Sequence, residues 1–230
     1  MALITTKEMF KKAYEGGFAI GAFNISDLEQ LQGVLKAAKA KNSYVMIQAS
    51  MSAVKYAGPH TLVEMVKAAS DEIGVDVALH LDHGPNMDAI KTCIDAGFSS
   101  VMIDGSHFDF EENVRITKEA VEYAHSKGVV VEAELGVLAG TEDDVTSDVH
   151  KYTQPAEAVE FVERTGVDSL AIAIGTSHGA FKFKGEAKLR FDILEEIQSK
   201  LPGFPIVLHG ASAVDQNAVA TCNEFGGNIA

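Results

Sequence analysis

The residues best suited to chemistry lie at the end of an apolar stretch in the first half of the chain. Residues 77–84 read Val-Ala-Leu-His-Leu-Asp-His-Gly. The start of this stretch is typical of a buried parallel strand, which stays apolar because both of its faces are covered. His80, Asp82 and His83 break that pattern at the carboxyl end, where parallel α/β folds place their functional groups. These titratable side chains therefore indicate a functional site.

Two later apolar stretches also finish in histidine. Residues 168–178 end at His178, and residues 205–209 end at His209. The carboxyl ends of parallel strands meet at one edge, so a histidine from each of the three stretches is expected at the same place. Three imidazoles with one open coordination position are the ligand set of a catalytic zinc site. The sequence thus predicts a zinc centre built from strand ends.

Predicted strands alternate with amphipathic helices along the chain, at intervals of roughly 30 residues, as in a (β/α)₈ (TIM) barrel. Seven strands are predicted, at residues 19–24, 44–50, 77–84, 100–104, 129–136, 168–178 and 205–209. Helices are predicted at 7–14, 28–41, 61–72, 87–95, 110–127, 156–165, 191–200 and 214–225, with a long polar loop at 140–152. An open, doubly wound sheet is the alternative. The barrel is favoured because polar residues close nearly every strand.

Composition narrows the class of protein. The chain has 230 residues, of which 47% are hydrophobic, and a formal net charge of −14. This suits one globular domain, and a surface so acidic makes nucleic acid an unsuitable partner. Two cysteines, Cys93 and Cys222, form no disulfide framework and are expected to be ordinary helix residues rather than nucleophiles. No secretory signal or membrane span is recognisable, so a soluble, cytoplasmic protein is expected.

Five short motifs together resemble one family. They are His-Leu-Asp-His-Gly at 80–84, Ser-Val-Met-Ile-Asp at 100–104, Glu-Ala-Glu-Leu-Gly at 132–136, Gly-Thr-Ser-His-Gly at 175–179 and Leu-His-Gly-Ala-Ser at 208–212. In order and spacing they resemble class II, metal-dependent fructose-1,6-bisphosphate aldolase, over essentially the whole chain. The resemblance implies reversible cleavage of fructose 1,6-bisphosphate to dihydroxyacetone phosphate and glyceraldehyde 3-phosphate, in glycolysis and gluconeogenesis.

The resemblance also implies roles for individual residues. The zinc ligands are expected at His83, His178 and His209. Asp82 is expected to transfer the proton of the substrate hydroxyl. Glu142, on a closing loop, is expected to transfer the proton at the carbon that becomes the enediolate. A second divalent or a monovalent cation is expected to involve Asp104 and Glu134. Phosphate contacts are expected at Gly179, Lys182, Gly210 and Ser212, and the substrate pocket is expected to include Asn24, Gln48 and Ser50. Two further expectations come from strand alternation and not from the resemblance. His80 points to the same side as Asp82 and is expected to contact the metal ligands without binding the metal, and Glu132 is expected to be a hydrogen-bonded acid of the barrel interior.

Members of the family continue beyond the segment matched here, with an eighth strand and C-terminal helices that help to build a homodimer or homotetramer. We therefore expect residues 1–230 to form a single (β/α) barrel domain that is incomplete at its C-terminus. Its first and seventh strands would then carry open edges.

Three other functions remain open from the sequence. Tagatose-1,6-bisphosphate aldolase shares the same site and differs in the stereochemistry of one substrate hydroxyl. A zinc hydrolase on the same fold would not need to bind a bisphosphate, so the segment from Gly179 to Lys182 argues against it. An inactive metal-binding or interaction fragment is the alternative from another class, and it would bind zinc without turning over a sugar bisphosphate.

Overall fold

The computed structural model of the chain describes residues 3–137, 140–142, 145–147, 151–177 and 189–224. The described strands are, in chain order, Gly21–Asn24 (β1), Val45–Ser50 (β2), Val77–Gly84 (β3), Ser100–Ile103 (β4), Val130–Leu135 (β5), Gly140–Glu142 (β6), Val145–Ser147 (β7), Ser169–Ile172 (β8) and Ile206–Val207 (β9). Strands β6 and β7 form a separate antiparallel pair. The other seven form one sheet in the order β1-β2-β3-β4-β5-β8-β9, with parallel neighbours throughout.

Helices connect and cover these strands. They are Thr6–Gly16 (α1), Leu28–Lys41 (α2), Met51–Ala57 (α3), Pro59–Ile73 (α4), Met87–Ala96 (α5), Phe110–Ser126 (α6), Pro155–Thr165 (α7), Phe191–Lys200 (α8) and Gln216–Glu224 (α9). Several begin at a side chain that satisfies an otherwise unpaired backbone N–H of the first turn. Asp27 accepts from Gln30 N in α2, and Asn86 accepts from Ala89 N in α5. None of the described helices is long and apolar enough to cross a membrane.

The two faces of the sheet differ in composition. Val45, Ile47, Val77 and Leu79 point outward into the main core, which they share with the helices. Met46 and Ala78 alternate with them and pack with α1 in a smaller apolar cluster. Side chains two and four residues further along each strand lie on the same face, nearer to its carboxyl end, and they are polar. Helix α1 therefore fills the amino-terminal end of this face, and the polar groups are left at the other end.

Strand register brings those polar groups together. Asn24 is level with Gln48, Gln48 is level with His80, and Ser50 is level with Asp82. Since all seven strands run in the same direction, their carboxyl ends form one edge. The register thus assembles a site from residues that are far apart in sequence.

The predicted architecture is confirmed: seven parallel strands alternate with helices, and no eighth strand joins them within the described ranges. Two local predictions were incomplete. The stretch after β2 forms the additional helix α3, because Ser50 ends the strand and also accepts a hydrogen bond from Ala53 N, at 3.4 Å. The long loop at 140–152 contains the short pair β6 and β7.

Candidate metal and active site

The end of β3 carries an unusual backbone conformation. The register with β4 shifts between Leu81 and Gly84, and within that shift His83 has φ of 45°. Residues other than glycine rarely occupy this left-handed region. A bulge of this kind re-aims a side chain at the end of a strand. Asp82 and His83 therefore both contribute to the same site, although they are adjacent in a strand.

One nitrogen of His83 contacts a pair of buried acids. Its Nδ1 lies 2.8 Å from Asp104 Oδ2 and 3.7 Å from Glu134 Oε2. Burial alone would raise the pKa of Asp104, but the hydrogen bonds from His83 and from Ser106 N outweigh it and hold that pKa well below its usual range. The donor atoms of His83, Asp104 and Glu134 lie within 4.8 Å of one another, as a cation site requires. Asp104 and Glu134, the two residues predicted to bind a second cation, both belong to this group.

His209 is held in a matching way on the other side of the site. Its Nε2 lies 2.8 Å from Glu132 Oε1, and its Nδ1 lies 3.9 Å from Asp82 Oδ1. Burial and the nearby His83 ring oppose protonation of His209. The hydrogen bond with Glu132 and the negative charges of Glu132 and Asp82 outweigh them and raise its pKa to about 9. The His83 and His209 ring centroids are 4.6 Å apart.

Asp82 lies between the two histidines. Its Oδ1 is 3.9 Å from His83 Nε2 and 3.9 Å from His209 Nδ1. Asn24 donates to its Oδ2 at 2.6 Å, and Gln48 donates to its Oδ1 at 3.4 Å. Asn24 and Gln48, predicted to line the substrate pocket, thus hold the Asp82 carboxylate in a defined orientation.

The donor set fits a divalent metal. In both His83 and His209, one ring nitrogen makes a hydrogen bond with a carboxylate. The other ring nitrogen of each faces the same oxygen of Asp82. Metal-binding histidines characteristically make such a second hydrogen bond, which fixes the ring and its tautomer. The donor atoms of Asp82, His83 and His209 lie within 4.8 Å of one another. Imidazole nitrogens combined with carboxylate oxygens suit zinc and related transition metals.

The remaining predicted residues lie around this centre or outside the described ranges. His178, Gly179 and Lys182 are among the residues that the structure does not describe. Glu142 ends β6, and its side chain is likewise outside the description. Ser50 is occupied at the start of α3, where its hydroxyl also lies 2.7 Å from that of Ser52.

Gly210 and Ser212, two of the predicted phosphate contacts, directly follow His209. Gly210 has φ of 69°. A Cβ at this position would lie 2.5 Å from the Ser177 carbonyl oxygen. Ser212 lies in the short 3₁₀ turn Ala211–Ala213. Glycine at 210 therefore allows the segment after β9 to approach the segment after β8 closely, so that both reach the same end of the barrel.

Glu132 contacts His209, a predicted zinc ligand, and the sequence did not specify this contact. The alternation of Glu132 with Glu134 along β5 placed both acids on the inner face, but it gave Glu132 no partner. The partner, His209, is 77 positions away and comes next to it only through strand order.

The two cysteines are buried and free, and burial raises the pKa of the Cys93 thiol to about 12 and of the Cys222 thiol to about 11.

Comparison with known proteins identifies the family of this chain. The sequence model of the family "Fructose-bisphosphate aldolase class-II" matches residues 4–228. Fructose-bisphosphate aldolase of Treponema pallidum (strain Nichols) is 48% identical over 248 residues, covering 100% of this chain and 75% of that protein. The enzyme of the same name from Geobacillus stearothermophilus is 47% identical, covering 98% and 79%. The crystal structure of the YdjI aldolase from Escherichia coli K12 superposes with a TM-score of 0.86 at 36% identity, covering 99% of this chain and 80% of that one. The chain belongs to the class II fructose-bisphosphate aldolases, a family of metal-dependent aldehyde-lyases.

Proposed function

We propose that this protein is a zinc-dependent aldolase that reversibly cleaves fructose 1,6-bisphosphate to dihydroxyacetone phosphate and glyceraldehyde 3-phosphate, in glycolysis and gluconeogenesis. The observation that carries the proposal is the group of buried Asp82, half-buried His83 and buried His209, whose donor atoms lie within 4.8 Å of one another at the carboxyl ends of the strands. Membership of the class II family supports the aldol reaction, and the mixed imidazole and carboxylate donors support zinc.

His83 and His209 would hold the zinc, with His178 as the third ligand. When bound, zinc supplies a Lewis acid to the ketone oxygen of the substrate. Asp104 and Glu134, which share His83 with this site, are the proposed holders of a second divalent or a monovalent cation. Their proximity to His83 would let the two cation positions influence each other.

Asp82 is the proposed base for the hydroxyl proton that leaves when the carbon–carbon bond breaks. A general base must lie within reach of its proton and keep a fixed orientation. The hydrogen bonds from Asn24 and Gln48 supply the orientation, and burial of Asp82 limits competing contact with water. In the reverse direction the same carboxyl group returns the proton.

Glu142 is proposed to transfer the second proton, at the carbon of the dihydroxyacetone phosphate half. Its position in the loop between β5 and α7 would allow it to act only when the loop closes over substrate. Gly179, Lys182, Gly210 and Ser212 are proposed to bind the phosphates, and Ser50 to line the pocket beside Asn24 and Gln48. Lys182 would supply a cation in a chain with a net charge of −14.

We extend the proposal to a single barrel domain that works in the cytoplasm as a homodimer or homotetramer. This part is supported by the resemblance and family membership.

Tagatose 1,6-bisphosphate is the alternative substrate. The relatives from Treponema pallidum and Geobacillus stearothermophilus are both named fructose-bisphosphate aldolase, which supports fructose 1,6-bisphosphate. Initial rates of cleavage of both sugars by the purified protein test the choice. We expect a higher kcat/KM for fructose 1,6-bisphosphate. A higher value for the tagatose isomer would replace the substrate, and zinc binding without cleavage of either sugar would favour the inactive-fragment alternative.

A further inference from the structure

A row of buried polar side chains crosses the inner face of the sheet behind the two histidines of the metal site. It consists of Ser100 at the start of β4, His80 in β3, Glu132 in β5 and His209 after β9. His80 and Ser100 are level with each other in the register of their strands, and His80 Nδ1 lies 2.7 Å from Ser100 Oγ. His80 is 0% exposed and Glu132 is 1% exposed. Groups this deeply buried carry a desolvation cost that their contacts must offset.

The outer nitrogen of His80 faces Glu132 without a hydrogen bond. His80 Nε2 lies 4.0 Å from Glu132 Oε2, and it has no hydrogen-bond partner among the described residues. A buried polar atom without a partner costs about 1–3 kcal/mol. Packing alone would be served by an apolar side chain without that cost, so a different role for His80 is indicated.

Electrostatics selects one tautomer for His80. If Nδ1 carried the hydrogen, the lone pair of Nε2 would face a carboxylate, which is repulsive. If Ser100 donates its hydroxyl hydrogen to Nδ1, then Nε2 carries the hydrogen and presents it to Glu132. The second arrangement is favoured because it attracts the buried carboxylate and stabilises its charge.

Glu132 passes this constraint to His209. While Oε2 faces His80, the other oxygen, Oε1, is 2.8 Å from His209 Nε2 and accepts its hydrogen. That bond leaves Nδ1 as the nitrogen on the side of Asp82 and His83. Any rotation of the Glu132 carboxylate would release the His209 ring and alter the nitrogen that it presents.

We propose that His80, anchored by Ser100, is a positioning residue that holds Glu132 in place, and that Glu132 thereby fixes the His209 ring for metal binding through Nδ1. The consequence for metal binding rests on the proposed function. The consequence for the ring of His209 stands without a metal, and the two can be measured separately.

Two matched pairs of variants test whether His80, anchored by Ser100, holds Glu132 and thereby the His209 ring in place. His80→Asn keeps a polar group near the position of Nδ1, close to Ser100, but removes the donor that faces Glu132. His80→Gln is longer and carries an amide N–H near the position of Nε2. Ser100→Ala removes the anchor of His80 with little change in volume, and Ser100→Thr retains the hydroxyl.

The first readout is the Nε2 proton of His209 in the metal-free protein, observed by NMR and assigned by its absence in His209→Ala. This proton is present whether the imidazole is neutral or charged. We expect a downfield, slowly exchanging signal in the wild type, His80→Gln and Ser100→Thr. In His80→Asn and Ser100→Ala the signal should be lost to exchange with water.

The second readout is the zinc dissociation constant, measured by competition with a chromophoric chelator. Loss of an outer hydrogen-bond partner typically weakens metal binding about 10–100-fold. We expect this loss in His80→Asn and Ser100→Ala, and near wild-type affinity in His80→Gln and Ser100→Thr. At saturating zinc, the KM for fructose 1,6-bisphosphate should be unchanged in all four variants.

The outcomes distinguish the positioning role of His80 from the proposed zinc-dependent function. If His80→Asn and Ser100→Ala retain the wild-type His209 signal and zinc affinity, the positioning role of His80 is wrong. It is also wrong if His80→Gln and His80→Asn lose the signal and the zinc affinity equally. If His80→Asn fails to fold, the Ser100 pair decides, because it changes only a hydroxyl and a methyl group. A wild-type protein that shows the His209 signal and its predicted dependence on His80, but binds no zinc, would retain the ring-positioning role and reject the zinc-dependent function.

Discussion

Among single residues, Asp82 has the surroundings that matter most for the proposed reaction. Its two oxygens receive amide hydrogen bonds from Asn24 and Gln48, and one of them lies equally far from His83 Nε2 and His209 Nδ1, at 3.9 Å. A carboxylate with both amide donors in place is preorganised for proton transfer beside a cation.

Asp82→Asn should therefore abolish most of the activity without unfolding the protein. General acid–base groups contribute about 10²–10⁴-fold to the rate, and we expect kcat to fall by that factor with a smaller change in KM. Steady-state cleavage of fructose 1,6-bisphosphate measures it. Asp88→Asn, an exposed substitution in the first turn of α5, is the matched control and should retain full activity. Comparable kcat values for the two variants would contradict the role of Asp82.

The cysteines should be unreactive in the folded protein. Because the thiolate is the reactive form, thiol pKa values of about 12 for Cys93 and about 11 for Cys222 leave little of it at pH 8. Iodoacetamide at pH 8 should modify neither residue in the native protein and both in urea, and native activity should persist. Rapid native labelling, followed by mass spectrometry, would show that these thiols are more accessible than the structure allows.

Asp82, His83 and His209, which the structure brings together, could be singled out from the sequence because charged groups at the end of an apolar strand are unusual. It could not pair His209 with Glu132, or Asn24 with Asp82. Those contacts depend on which strands become neighbours and on their register, and neither is encoded in the local pattern.

At the scale of elements, the bulge in β3 determines where His83 points. Gly84, at the end of the bulge, is level with Ile103 of β4. A Cβ at Gly84 would lie 2.5 Å from the Met102 carbonyl oxygen, which belongs to the backbone of that neighbouring strand. The absence of a side chain thus allows the bulge to form against β4.

Gly84→Ala should destabilise the protein by about 1–3 kcal/mol, the usual range for overpacking against a rigid neighbour. Gly33→Ala is the matched control, because nothing lies within 4 Å of a Cβ there and the residue is inside helix α2. That variant should stabilise the protein by about 0.5–1 kcal/mol. Urea unfolding measures both free energies. Equal changes in the two variants would show that the contact with Met102 does not constrain the bulge.

The positions of most elements were predictable because their apolar periodicity is regular. Helix α3 was not predicted, because it is only seven residues long and follows Ser50 without a break. The bulge was not predicted either. Gly84 indicated the end of the strand, but the left-handed conformation of His83 arises from packing against β4.

At the scale of the whole molecule, the sheet places its apolar groups and its charges at opposite ends of one face. Helix α1 covers the amino-terminal end with Met9, Phe10 and Ala13. The carboxyl end gathers acids and histidines in a chain with a net charge of −14. Concentrated buried carboxylates repel one another, and a bound cation offsets that repulsion.

The most direct test of the metal-dependent site is cleavage of fructose 1,6-bisphosphate by the purified protein before EDTA treatment, after it, and after zinc is added back. We expect activity to disappear with the metal and to return with zinc, because none of the side chains that would hold the metal can replace its Lewis acidity. Undiminished cleavage by protein shown by elemental analysis to be free of metal would contradict it.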